Sequence, residues 1–135
     1  MSVKAFRHPK ESLGDLKADT AATLIAAAAD VALALDGNGV IQDIAFQRAE
    51  LPLELRNTDQ WVGRSWQATV AEESQIKIEQ MLEEAAARGV SRWREIRCPA
   101  ARGPDVPFLF SAIAIKNHRR NVAIGRDMRT AAALQ

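Results

Sequence analysis

The stretch "VALALDGNGVIQDIAF", residues Val31 to Phe46, decides the fold. Val31, Leu33 and Leu35 alternate with Ala32 and Ala34. After Asp36-Gly37-Asn38-Gly39 the alternation resumes, with Val40, Ile41, Ile44 and Phe46 around Gln42 and Asp43. A period of two marks a strand with one buried face. Asp, Asn and Gly accept the positive φ of tight hairpin turns, so the pattern predicts a β-hairpin that turns at Asp36, Gly37, Asn38 and Gly39. The same glycines and acids raise two other chemistries. A phosphate loop needs a helix after its glycines, so that N–H groups converge on the anion, but here a strand pattern follows. An EF-hand loop ends in a Glu at its twelfth position. Counted from Asp36, that position is Gln47.

Upstream, Leu13, Leu16, Leu24, Ile25 and the intervening alanines recur at steps of three and four. This predicts an entering helix over residues 13–29, in one piece or two, with Asp19 or Thr20 as an internal N-cap. Downstream, "LPLELRN" predicts a short helical turn with Pro52 near its start. Trp61 and Trp66 are expected in the core. Thr69 and Glu72 have capping-box spacing, which predicts a long helix from about Ala71 to Arg88. Its apolar stripe is Ile78, Met81, Leu82 and Ala85, and Gly89 closes it. "SRWREIRC", "FLFSAIAIK" and "VAIGRDM" read as three further strands, the second apolar enough to lie at the sheet centre. "DMRTAAALQ" has helix-forming residues and reads as the start of an outgoing helix. The sum is an α+β layer with a five-stranded antiparallel sheet.

Composition bounds the function. A chain of 135 residues with 47% apolar residues makes one domain with a real core. No stretch approaches the roughly 18 apolar residues of a membrane span, and the N-terminus lacks an apolar signal core. One cysteine excludes an internal disulfide framework and suits a reducing, cytoplasmic setting. The net charge of +1 gives no whole-domain nucleic-acid signal. It hides an asymmetry: residues 1–87 hold 8 Lys/Arg against 14 Asp/Glu, a net −6, and residues 88–135 hold 10 against 3, a net +7. Opposite charge in one small domain either is simply solvated or draws copies together.

This order of elements resembles the PAS fold of sensor and interaction domains, over about residues 30–129. "DVALALDGNGVIQDI" is similar to the first PAS hairpin, "WVGRSWQATV" to the entry before the long helix, and "VAIGRDMRT" to the closing strand. A closer resemblance is to the N-terminal PAS domain of the PpsR/CrtJ repressors of bacterial photosynthesis genes. It is carried by "LKADTAATLIAAAADVALALD", "LRNTDQWVGRSW" and the "GRDM" exit. The resemblance implies residues 1–29 as tail and entering helix, 30–127 as the PAS domain, and 128–135 as the start of a linker helix. It further implies an aerobic repressor of bacteriochlorophyll and carotenoid genes. That protein would be a dimer through this domain and a tetramer at full length, antagonised by a flavin-bearing antirepressor. DNA would be bound only through a C-terminal helix-turn-helix. The alternative is a ligand-sensing PAS input domain of another signalling protein.

Chemistry within the domain has few candidates. The flavin-photoadduct motif resembles "GRSWQATV", with Arg64 matching its arginine, but Ser65 and Trp66 stand where Asn and the reactive Cys belong. Haem-sensing PAS domains carry a helical His, and residues 71–88 contain none. His8 and His118 read as surface residues. Glu72/Glu73 and Glu83/Glu84 read as a solvated helix face. Cys98 reads as a structural thiol; the alternative is a redox thiol, because Arg97 and Arg102 lie near and their charges could lower its pKa, and no His–acid pair accompanies it for catalysis. The reading is therefore non-catalytic, with no cofactor and no metal. The expected oligomerisation surface is the open sheet face and the entering helix: Leu13, Leu16, Leu24, Ile25, Phe108, Phe110, Ile113, Val122 and Ile124.

Overall fold

The computed structural model describes residues 5–115 and 119–129. His118 and residues 130–135 of the expected linker helix lie outside them. The elements run α1 (Pro9–Leu13), α2 (Ala18–Ala28), β1 (Val31–Asp36), β2 (Ile41–Phe46), α3 (Leu51–Glu54), α4 (Gln75–Arg88), β3 (Arg94–Cys98), β4 (Val106–Ile115) and β5 (Arg120–Asp127). The five strands form one sheet in the order β2-β1-β5-β4-β3, with every pairing antiparallel.

The hairpin turns where the sequence places it. Asp36 Oδ1 accepts hydrogen bonds from the backbone N–H of Asn38 (2.8 Å) and Val40 (2.9 Å). Gly39 takes a φ of 81°, where a side chain would be strained. One face of the sheet is the core face. On it Val31, Leu33 and Leu35 of β1 meet Ile96 of β3, Phe108 and Phe110 of β4, and Ala123 of β5. Ile78, Met81 and Ala85 of α4 close over them, one helical stripe at three- and four-residue steps. Trp66 lies edge-on to Phe110 with ring centroids 5.3 Å apart, and Phe108 stands 5.7 Å from Phe110. Trp61 is buried as well.

Several local expectations are corrected. The entering helix comes in two pieces, as its spacing allowed, parted at Gly14 with a φ of 69°, but α2 starts after Lys17 with no side-chain cap, so neither Asp19 nor Thr20 is its N-cap. The capping box does not form: Thr69 ends a separate 3-10 turn over Trp66–Thr69, where its hydroxyl donates to the Trp66 carbonyl at 2.7 Å. The long helix begins at Gln75, after a 3-10 turn over Glu72–Ser74. Its anchor is Ser74, buried, whose hydroxyl oxygen accepts the Arg97 N–H at 2.9 Å and ties the helix start to β3. Gly89 ends α4 in the left-handed region as expected, its N–H donating to the Ala85 carbonyl at 2.8 Å.

Candidate interaction surface

The strand register sorts the expected contact residues. Phe108 and Phe110 pair with Ile96 and Arg94 of β3, and both rings are fully buried in the core. Neither can meet a partner, so the expectation for these two is overturned. Strand β4 is apolar on both faces, and alternation alone gave no way to tell which face is inner. The outer residues are the intervening ones, Leu109 and Ile113 on β4, continued by Val122 and Ile124 on β5. All four are half-buried. Beside them stand Val90, bridged to Ile113, and Ile115. Leu109 was missed; a period-two reading of β4 started from Ile113 would have found it.

Helix α2 crosses this outer face near β1. None of its residues is buried, and Leu24 remains 51% exposed. Ile25 is half-buried, while Leu13 and Leu16 in the preceding segment are exposed along with Phe6. At the β3 end the surface becomes basic. The Arg126 guanidinium lies 4.9 Å from the centre of the Trp93 ring, itself 41% exposed. Among the described residues, the expected helix residues and the outer strand residues are therefore left exposed or half-buried.

The two ends of the domain are tied together beside this face. The Asp30 N–H donates to the Gly125 carbonyl at 2.9 Å, and Asp30 Oδ2 accepts the Asp127 N–H at 2.6 Å. Asp127, buried, takes Arg129 through both carboxylate oxygens (3.1 and 2.8 Å) and Arg48 at 3.0 Å. Arg129 continues to Glu54 at 2.7 Å. Burial pushes the Asp127 carboxyl up, but the Arg129 hydrogen bonds and the charges of Arg129 and Arg48 outweigh it and hold it below the ordinary value. The Asp127 hydrogen bonds hold Arg129 more firmly protonated. This junction joins the start of β1 to the exit of β5. Sequence reasoning missed it, because its partners lie 79 and 97 residues apart.

Cys98 takes a structural place, and its redox alternative is set aside. Its side chain points into the core, while Arg97 and Arg102 are exposed. Burial, then the nearby charges of Asp105 and Asp127, push the thiol up to about 12. The thiol is inert rather than activated. Folded protein at pH 8 should react with an Ellman-type reagent at least a hundredfold more slowly than protein unfolded in denaturant. Equal rates would contradict this placement. His8 is exposed, before α1. Among the described residues, no three His, Cys, Asp or Glu side chains are grouped to hold a metal. A cleft of about 800 Å³ opens between α3 and the loop before β4, floored by Leu53, Ala100, Pro104 and Pro107.

Solved structures match this arrangement. The PAS domain of the Cronobacter turicensis RpfR quorum-sensing receptor, in complex with BDSF, has a TM-score of 0.55 at 18% identity, covering 73% of this chain and 92% of that one. The PAS domain of an HTR-like protein from Haloarcula marismortui has a TM-score of 0.55 at 21% identity, covering 81% and 97%. Drosophila melanogaster Cycle PAS-B, with bound ethylene glycol, has a TM-score of 0.55 at 15% identity, covering 72% and 98%. The fold is the PAS fold. No protein-family model and no curated protein matches the chain. Within the PAS fold, β1 and β2 are the hairpin that opens the sheet, α4 is the long helix, and β5 is the closing strand that ends at the Asp127 junction. No helix among the described residues is long and apolar enough to cross a membrane.

Proposed function

We propose that this PAS domain is a non-catalytic oligomerisation and partner-binding module of a DNA-binding transcriptional repressor of photosystem genes, of the PpsR/CrtJ kind. The observation that carries the reading is the outer sheet face, where Leu109, Ile113, Val122 and Ile124 lie half-buried beside a helix that buries none of its own residues. Leaving this apolar surface wet is unfavourable by roughly 25 cal/mol for each Å² that a partner could cover. A second copy supplies both complementary parts, since each chain carries the sheet face and the exposed α1–α2 segment. The segregated charge, −6 over residues 1–87 and +7 over residues 88–135, favours an arrangement in which the acidic part of one copy meets the basic part of the other. In the full-length repressor such dimers would assemble into tetramers in the cytoplasm. Operator DNA would be bound through a helix-turn-helix in another domain, and the flavin-bearing antirepressor would be the regulating partner.

Two experiments test this reading. Deleting residues 1–29 should change the sedimenting mass of the domain, and an unchanged mass would take the entering helix out of the contact. Deleting the domain from the full-length regulator should raise transcription of bacteriochlorophyll genes in air, and unaltered repression would refute the assigned role. The RpfR domain complexed with BDSF supports a second reading, a ligand-sensing input domain. Freshly purified protein should be colourless by visible absorption, and a flavin or haem spectrum would move the balance to that second reading.

A further inference from the structure

Helix α2 lies on the sheet without sealing against it. A groove of about 150 Å³ runs beneath it. Its floor follows from the register. Asp43, Ala34 and Val122 form one row across three strands, and Ala45 and Ala32 begin the next. Its roof is Ala22 and Ile25 of α2. Four of these positions are alanine, so the space is left by short side chains. A leucine at any of them would reach into it.

The walls offer almost nothing to water, because alanine, valine and isoleucine side chains make no hydrogen bonds. An apolar space of about 150 Å³ accepts a body the size of benzene and loses contact energy while unfilled. Asp43 is the one charged residue among those lining it. Its Oδ1 already accepts the Ile44 N–H at 2.9 Å, which holds the carboxylate at the groove. We propose that this groove is a binding site for a small primary amine, an apolar body of about six heavy atoms with an ammonium head paired to Asp43. An anionic head of the same size is repelled by the same carboxylate. The site lies on the outer face, across the sheet from the core filled by Trp66 and Phe110, and shares Val122 with the surface assigned above to a second copy.

The test is titration of the 15N-labelled domain with n-pentylamine, pentan-1-ol and pentanoate, followed by amide shifts. Pentylamine should saturate with a roughly millimolar Kd, as its few atoms allow, and should shift Ala32, Ala34 and Val122. Pentan-1-ol should bind the same residues two- to fivefold more weakly, the range of an exposed ion pair, and pentanoate should not saturate. Ala34→Leu fills the floor and should weaken pentylamine at least tenfold, and Ala22→Leu in α2 should do the same from the roof should the strand variant fold poorly. Asp43→Asn should erase the preference for amine over alcohol while leaving alcohol binding intact. Shifts centred on Trp66 and Phe110, pentylamine that does not saturate, binding that survives both leucine variants, or an amine preference that survives Asp43→Asn would each overturn the proposal.

Discussion

Gly125→Ala is expected to destabilise the domain by about 1–3 kcal/mol, the usual cost of overpacking a filled core. Gly125 pairs with Phe110 on one side and Val31 on the other. A Cβ on Gly125 would come within 2.5 Å of Phe110 Cε1, 2.6 Å of Cζ and 3.0 Å of Cδ1. The ring cannot step aside, because Trp66 and Phe108 pack against it. The role of this glycine is therefore steric: it gives Phe110 a flat backbone to lie on. For a domain of this size the loss should lower the melting temperature by roughly 3–12 °C. A double-mutant cycle isolates the cause. In a Phe110→Leu background, which removes the two closest atoms, Cε1 and Cζ, the added cost of Gly125→Ala should fall below about 0.5 kcal/mol. An undiminished cost there would place the problem in the backbone rather than in the ring.

The second large effect belongs to the junction. Asp127→Ala removes the acceptor for Arg48 and Arg129, and hydrogen bonds to charged groups are worth about 1.5–3 kcal/mol each. The two arginine side chains are 38% and 42% exposed, so both recover water when the acid is lost. The net expectation is accordingly a loss of about 2–3 kcal/mol in urea unfolding, below the 3–5 kcal/mol of a fully buried broken pair. The Asp127 carboxyl is held below its ordinary value of 3.8 in the fold, so its contribution is complete above that value. It is lost as the pH falls from 3.8 through the lower folded value. Asp127→Asn should flatten this acid limb of the stability profile. Wild type and variant losing stability in parallel below pH 3.8 would show that the carboxylate is not the stabilising species.

These two sites mark the limit of what local sequence carries. The hairpin was legible because Asp36, Asn38 and Gly39 dictate the turn within four residues of one another. The α4 stripe was legible because Ile78, Met81 and Ala85 keep one helical period. The five strands and their antiparallel assembly followed from the succession of elements. The inner face of β4 was not legible, since "FLFSAIAI" is apolar at both parities and only the pairing with Ile96 turns Phe108 and Phe110 inward. The start of α4 was misread because Thr69 closes a 3-10 turn of its own and a second one intervenes before Gln75. Asp30 and Asp127 look like ordinary surface acids until the sheet brings β1 and β5 together. The redox alternative for Cys98 fails because strand alternation sends its thiol and the Arg97 side chain to opposite faces. The groove under α2 is a property of two rows of short side chains, visible only once the register is known.

If the outer sheet face joins two copies of this chain, sedimentation equilibrium of the intact domain beside its Ile113→Asp variant will show it. Ile113 is half-buried on that face, so an aspartate there should leave the far-UV circular dichroism unchanged while placing a charge in the contact. The intact protein should sediment at twice the chain mass and the variant at a single chain mass. A monomeric intact domain, or a folded variant that keeps the doubled mass, would contradict that pairing of copies.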